Sequence, residues 1–200
     1  LNGRGENPTT EAGPCRGTEL RTYRLAIACT GGYSQSVAGG NATATHAAVV
    51  TSANRVIQVY EVEVAISFVL VANNNLIEYI PSGPQPLTNT IGTTLLNQNQ
   101  ANTDAVIGSA NYDFGHVFTS DDNGLAQLSA ICGTGKARGA TGSPVLVGDP
   151  FDIDYVAHEM GHQSGGPYTF NSNSCASAGG SYEPGGGTTI MAYAGICAAA

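Results

Sequence analysis

The stretch that most constrains this chain is His158-Glu159-Met160-Gly161-His162, an H-E-x-x-H pattern. On a helix, residues four apart lie above one another on one face, so His158 and His162 share that face. Two neutral imidazoles so placed can reach one Zn²⁺ at about 2.0–2.1 Å. Glu159 stands beside the first of them, where a carboxylate can take a proton from a metal-activated water. The pattern therefore predicts a helix that carries both histidines on one face. Pro150 and Asp152 read as its entry, with Asp152 or Asp154 as cap, and Gly165-Gly166-Pro167 as its end.

A catalytic zinc site keeps one position open for water and needs a third protein ligand. Glycine at Gly165 permits the left-handed turn that returns the chain toward the histidines. Three residues later stands Tyr168, whose phenol must lose its proton to ligate well. Glu183, 21 residues after His162, is the other candidate. It lies in Ser181-Tyr182-Glu183-Pro184-Gly185, which cannot readily be helical, so Tyr168 is preferred and Glu183 reads as a loop carboxylate near the cleft.

The remaining chain predicts alternating strands and helices. Residues 1–18 read as an N-terminal arm rich in Gly, Pro, Asn and Thr, and 19–200 as a single domain. Glu19–Cys29 is a strand, 41–59 a helix and Val62–Asn73 a β-branched run expected at the sheet centre. Leu76–Ile80 reads as extended, Thr94–Ser109 as a helix and Tyr112–Phe118 as a strand. Gly124–Cys132 reads as an edge strand able to hold an extended peptide by strand addition. Gly133–Asp152 reads as a surface loop. His46 and His116 lie outside the motif and read as a helix histidine and a packing histidine.

The net charge of −8, with no Lys or Arg after Arg138, disfavours nucleic acid as a partner. The acidic final third instead suggests tolerance of Arg or Lys near a scissile bond. No apolar run approaches the ~20 residues of a membrane span. The five cysteines lack C-x-x-C spacing, so disulfides and an oxidising compartment are the default, and the odd number leaves at least one free or paired outside this segment. Cys175 and Cys197 flank Met191 and are the candidate pair. Asp121 and Asp122 are weighed as Ca²⁺ ligands against a solvated turn. No G-x-S-x-G is present, which argues against a serine hydrolase.

HEMGHQSGGPYTF, together with Thr189-Ile190-Met191-Ala192-Tyr193, resembles the metzincin metalloendopeptidases. Within them it is most similar to the bacterial reprolysin-like group, with kinship to the pappalysins. Thr169-Phe170 fixes the register and leaves Tyr168 where the family's third histidine stands. ELRTYRLAIAC, GSANYDFGHVF, GLAQLSAIC and GDPFDIDYVAHEMGH extend the similarity over most of 19–197. The resemblance implies an α/β (α+β) metzincin-type split domain, with a mixed twisted sheet, an antiparallel edge strand and an active-site helix. It places an upper lobe over about 19–165 and a small irregular lower lobe over about 166–200, where relatives continue into a further helix. It also implies a secreted, monomeric zinc endopeptidase with His158, His162 and Tyr168 as ligands and Glu159 as general base. Met191 corresponds to the Met-turn beneath the metal, and Tyr193 to a tyrosine that assists catalysis. The tyrosine at 168 keeps a second reading open, a catalytically impaired metzincin-like binding module.

Overall fold

A computed structural model describes residues 18–172, 180–195 and 197. Strand β1 (Arg21–Cys29) leads into α1 (Gly31–Ala38) and α2 (Ala42–Val64), then β2 (Ile66–Leu70). A 3-10 turn (Asn74–Ile77) and α3 (Thr93–Thr103) precede β3 (Phe114–Thr119), β4 (Gly124–Ala126) and β5 (Gly139–Gly142). One helical run follows, made of α4 (Asp149–Phe151), a π turn (Asp152–Ala157) and α5 (His158–Gln163). Two-residue strands β6 (Phe170–Asn171) and β7 (Glu183–Pro184) pair beyond it.

The sheet order is β2-β1-β3-β5-β4, parallel except for β4, which runs antiparallel to β5 at the edge. β1 and β3 form its centre because both faces of each are covered. On β1, the larger Leu25, Ile27 and Cys29 face one core with Val49, Val56 and Tyr60 of α2 and Met160 of α5. The small Ala26 and Ala28 face a second core with Leu95 and Leu96 of α3. A strand's period of two sorts the residues between these layers.

Four expectations are corrected. The Val62–Asn73 run is not a central strand: α2 continues through Val64, and β2 is the outer strand, with Val69 56% exposed. The long helix holds these β-branched residues because Tyr60 anchors its last turn, donating to Ala157 O at 2.8 Å. Ala65 closes it in a left-handed conformation (φ 54°). The expected edge strand Gly124–Cys132 pairs only over Gly124–Ala126. Beyond Ala126 one ladder bond persists, Gln127 N to Arg138 O, and 129–131 then turn to the end of α5. The expected loop 133–152 contains β5, whose Gly139-Ala140-Thr141-Gly142 lacks the bulky residues that signal a strand, yet is fully buried. Leu76–Ile80 begins in a 3-10 turn, not an extended strand.

The active helix also starts earlier than expected, after Gly148, so neither Asp152 nor Asp154 caps it. Asp152, 2% exposed, instead pairs with Arg55 of α2 at 2.7 Å, and Arg55 also meets Asp149. These contacts fix the helix's acidic first turns against α2, where the dipole favours carboxylates. The N-terminal arm and Cys175, hence the Cys175–Cys197 pairing, lie outside the described residues. Cys29 and Cys132 are free thiols. Among the described residues no helix is long and apolar enough to cross a membrane.

Candidate metal centre and active site

α5 carries His158, Glu159 and His162, all buried. The two imidazole rings stand 4.6 Å apart at 88°. His158 Nδ1 lies 2.6 Å from Ile190 O, and His162 Nδ1 lies 2.8 Å from Gly166 O. A carbonyl oxygen only accepts, so each Nδ1 carries the proton and each Nε2 keeps a bare lone pair. Both Nε2 atoms are buried and have no hydrogen-bond partner among the described residues. Burial lowers both pKa values, so the rings are neutral, as metal ligation requires.

The backbone turn that supplies Gly166 O depends on glycine. Gly165 has φ 103°, and Gly166 N then donates to Gly161 O at 2.9 Å. The same reversal brings Tyr168 to the histidines, its ring centroid 4.4 Å from His162 and 5.5 Å from His158. Tyr193 OH donates to Tyr168 OH at 3.1 Å, and the Tyr193 ring lies 5.8 Å from His158 and stacks on Phe170. Burial, the Tyr193 contact and the charge of Glu159 all push the Tyr168 phenol above the ordinary tyrosine range.

Met191 packs directly beneath this helix: a Cβ at Gly161 would lie 2.3 Å from its Sδ. The chain between is tied down by Thr169 N donating to Met191 O at 3.1 Å. Glu183 is spent on the same task. Its carboxylate accepts from the Thr169 and Thr189 hydroxyls and from the Thr188 and Thr189 amides, which hold it at about 2. The structure thus brings together His158, Glu159, His162, Tyr168 and Tyr193 over Met191, and leaves Glu183 as a loop staple.

Glu159 is 6% exposed, and burial pushes its carboxyl up to about 8. It lies against β4: a Cβ at Gly124 would come 2.2 Å from its Oε1. Glycine at the start of the edge strand is therefore what admits the carboxylate under the strand. Two hollows flank it. One, about 330 Å³, is lined by Leu125, Leu128, His162, Pro167 and Tyr168. The other, about 190 Å³, is lined by Asp122, Asp154, Tyr155, His158, Ala192 and Tyr193. A larger apolar cavity of about 750 Å³ lies behind the helix, between Tyr60, Ile66 and Met191, and includes neither histidine.

A family model described as metallopeptidase family M12B, reprolysin-like, matches residues 19–199. The chain belongs to this family. No curated protein matches it. The reprolysin-like domain is thus a zinc metallopeptidase of the M12B type, with the mixed five-stranded sheet and helices of a metzincin fold. The donor set fits zinc at two positions, where the orphaned, tautomer-fixed Nε2 atoms of His158 and His162 stand. The third place is taken by a phenol. Among the described residues no group of three or more His, Cys, Asp and Glu is arranged to hold a metal.

The other histidines join neither this centre nor each other. His46 pairs with Glu78 at 2.9 Å. His116, fully buried in the β3 row Phe114, His116, Phe118, bonds Gln163 Oε1 at 2.7 Å and Thr141 Oγ1 at 2.8 Å. Asp121 accepts from Ile91 N at 2.7 Å, and Asp122 is exposed. Burial lowers His116 to about 4, with the Gln163 bond opposing. The unfolded chain, near 6.5, therefore binds more protons between those values. His116 should thus contribute stability in full above pH 6.5 and lose it as pH falls toward 4, on the order of 3 kcal/mol. Denaturant unfolding at pH 5 and 7 should show that slope, and His116→Asn should flatten it.

Sequence reasoning missed Gly124 at the start of the edge strand, over Glu159, and Gln163 beside the second histidine. The first had no signal without the β4–α5 contact. The second was a buried polar residue immediately after a ligand, adjacent to the motif but outside it.

Proposed function

We propose that this reprolysin-like chain is a secreted zinc endopeptidase that hydrolyses peptide bonds with Glu159 as general base. The observation that carries this reading is the pair of buried Nε2 atoms, without a hydrogen-bond partner among the described residues, beside a buried carboxylate under an edge strand. His158, His162 and the Tyr168 phenol would hold the ion. Zinc, when bound, supplies a Lewis acid that polarises the scissile carbonyl and makes a water more acidic. The free edge of β4 receives an extended peptide, whose backbone adds to the sheet. Glu159 takes a proton from the attacking water as the new C–O bond forms. It then hands a proton to the amine nitrogen as the C–N bond breaks. A nearby dication favours the ionised carboxylate, opposing the burial that holds it near 8. Tyr193, whose one hydroxyl proton goes to Tyr168 OH at 3.1 Å, would turn that proton to a developing oxyanion.

A quenched peptide assay tests this: cleavage abolished by chelator and restored by zinc supports the enzyme. A second reading, an impaired metzincin-like binding module, is favoured by the raised phenol of Tyr168, whose neutral form ligates poorly. Zinc below one per chain with no cleavage supports that reading instead. Secretion is supported by cysteine usage, and non-reducing peptide mapping should find Cys175 joined to Cys197.

Substrate charge is a further expectation of this reading. The 190 Å³ hollow carries Asp122 and Asp154, and Tyr155 feels the charges of both and of Glu159. A peptide library should therefore show enrichment of Arg or Lys on that side of the scissile bond, weakened by salt. Uniform cleavage regardless of charge would contradict the expectation.

A further inference from the structure

We propose that His116 and Gln163 are positioning residues of the candidate metal centre, a buried hydrogen-bonded clamp that sets where α5 ends and so where His162 stands. The proposal rests on the reading of His158 and His162 as zinc ligands.

Gln163 directly follows His162 and is fully buried, as are His116 and Thr141. Its amide Nε2 donates to Gly115 O on β3 at 2.8 Å and to Lys136 O before β5 at 3.3 Å. Because both of those partners are carbonyls, the amide orientation is fixed and Oε1 must face His116. His116 Nδ1 then donates to Oε1 at 2.7 Å, which leaves its Nε2 to accept from Thr141 Oγ1 at 2.8 Å. Every polar atom of the chain Thr141–His116–Gln163 has a partner, so the network is held without an orphaned group.

The sheet is cut to receive it. A Cβ at Gly139 would lie 2.0 Å from Gln163 Oε1. A β-branched residue, the usual choice for a buried strand, would expel the amide. The backbone at the same point is tied as well: Ser129 N donates to His162 O at 3.0 Å, and Ala130 N to Gln163 O at 2.8 Å. The side-chain clamp and these bonds join β3, β5 and the segment after β4 to the end of α5.

An apolar side chain of similar volume would fill the space but would resist neither sliding nor rotation of the helix end. Directional bonds to two strands do both. His158 and His162 each donate Nδ1–H to a backbone carbonyl, so ring placement depends on where the helix lies relative to Ile190 and Gly166. Metal affinity is sensitive to such support.

Chelator-competition titration of zinc should compare wild type, Gln163→Met, His116→Leu and the double variant, well below each melting temperature. Gln163→Met is expected to raise the zinc dissociation constant about tenfold, the scale of lost outer-shell support. His116→Leu should act in the same direction, and the double variant should cost no more than the larger single one. Turnover should fall with KM little changed. Unchanged zinc affinity in both single variants, with only the melting temperature lowered, would overturn the proposal. Should either variant fail to fold, Thr141→Val removes one bond at constant shape and carries the same test, with a several-fold weakening expected and none contradicting it. A wild type that binds no zinc would instead sink the functional reading itself.

Discussion

Replacing Glu159 with glutamine is expected to leave zinc binding intact and to reduce turnover by about 10²–10⁴-fold. The substitution keeps shape and volume in a site with little room, since Glu159 is 6% exposed and pressed beneath Gly124. It removes the group that takes the proton from water. Neither imidazole needs it, because their Nδ1 atoms are satisfied by Ile190 and Gly166. KM should change little, as the edge strand that receives the peptide is untouched. Equal loss of zinc and activity would mean that Glu159 supports the fold of the site and not the chemistry. Full activity would end its assignment as base.

Tyr168 carries the second large effect. If its oxygen is the third donor, Tyr168→Phe should weaken zinc by on the order of 100-fold or more, beyond what loss of an outer-shell partner brings. Tyr168→His should strengthen zinc by roughly tenfold or more, since a neutral imidazole needs no proton removed whereas this phenol is held above its usual range. Isothermal titration of both variants with zinc measures the two shifts. Phenylalanine binding zinc as tightly as tyrosine would remove Tyr168 from the ligand set. In that case the restored activity of Tyr168→His, compared with wild type, would measure how far the natural residue impairs the enzyme.

The site was more legible in the sequence than the sheet that carries it. His158, Glu159 and His162 are fixed relative to one another by a single helical turn, so spacing alone places them. Gly165, with φ 103°, could be read because few other residues adopt that conformation. The strands were harder, because the signals compete. Val62-Glu63-Val64 has β-branched residues but continues α2, where Tyr60 is held by Ala157 O. Tertiary contact outweighed propensity there. Gly139-Ala140-Thr141-Gly142 looked like a loop because its residues are small. They are small because Gln163 and the neighbouring strands leave no space for more. α1 went unread, since Thr30-Gly31-Gly32 has the composition of a turn, although Thr30 Oγ1 accepts from Tyr33 N and caps the helix. The contacts that shape the site, Gly124 over Glu159 and Gly161 over Met191, join residues about 30 or more apart and leave no local periodicity.

The most direct measurement is anomalous scattering at the zinc edge from crystals of the zinc-loaded protein. One zinc bound by Nε2 of both His158 and His162, with the Tyr168 oxygen as the third protein atom, is the predicted result. A metal elsewhere, or none at full zinc concentration with both Nε2 atoms left apart, would contradict it.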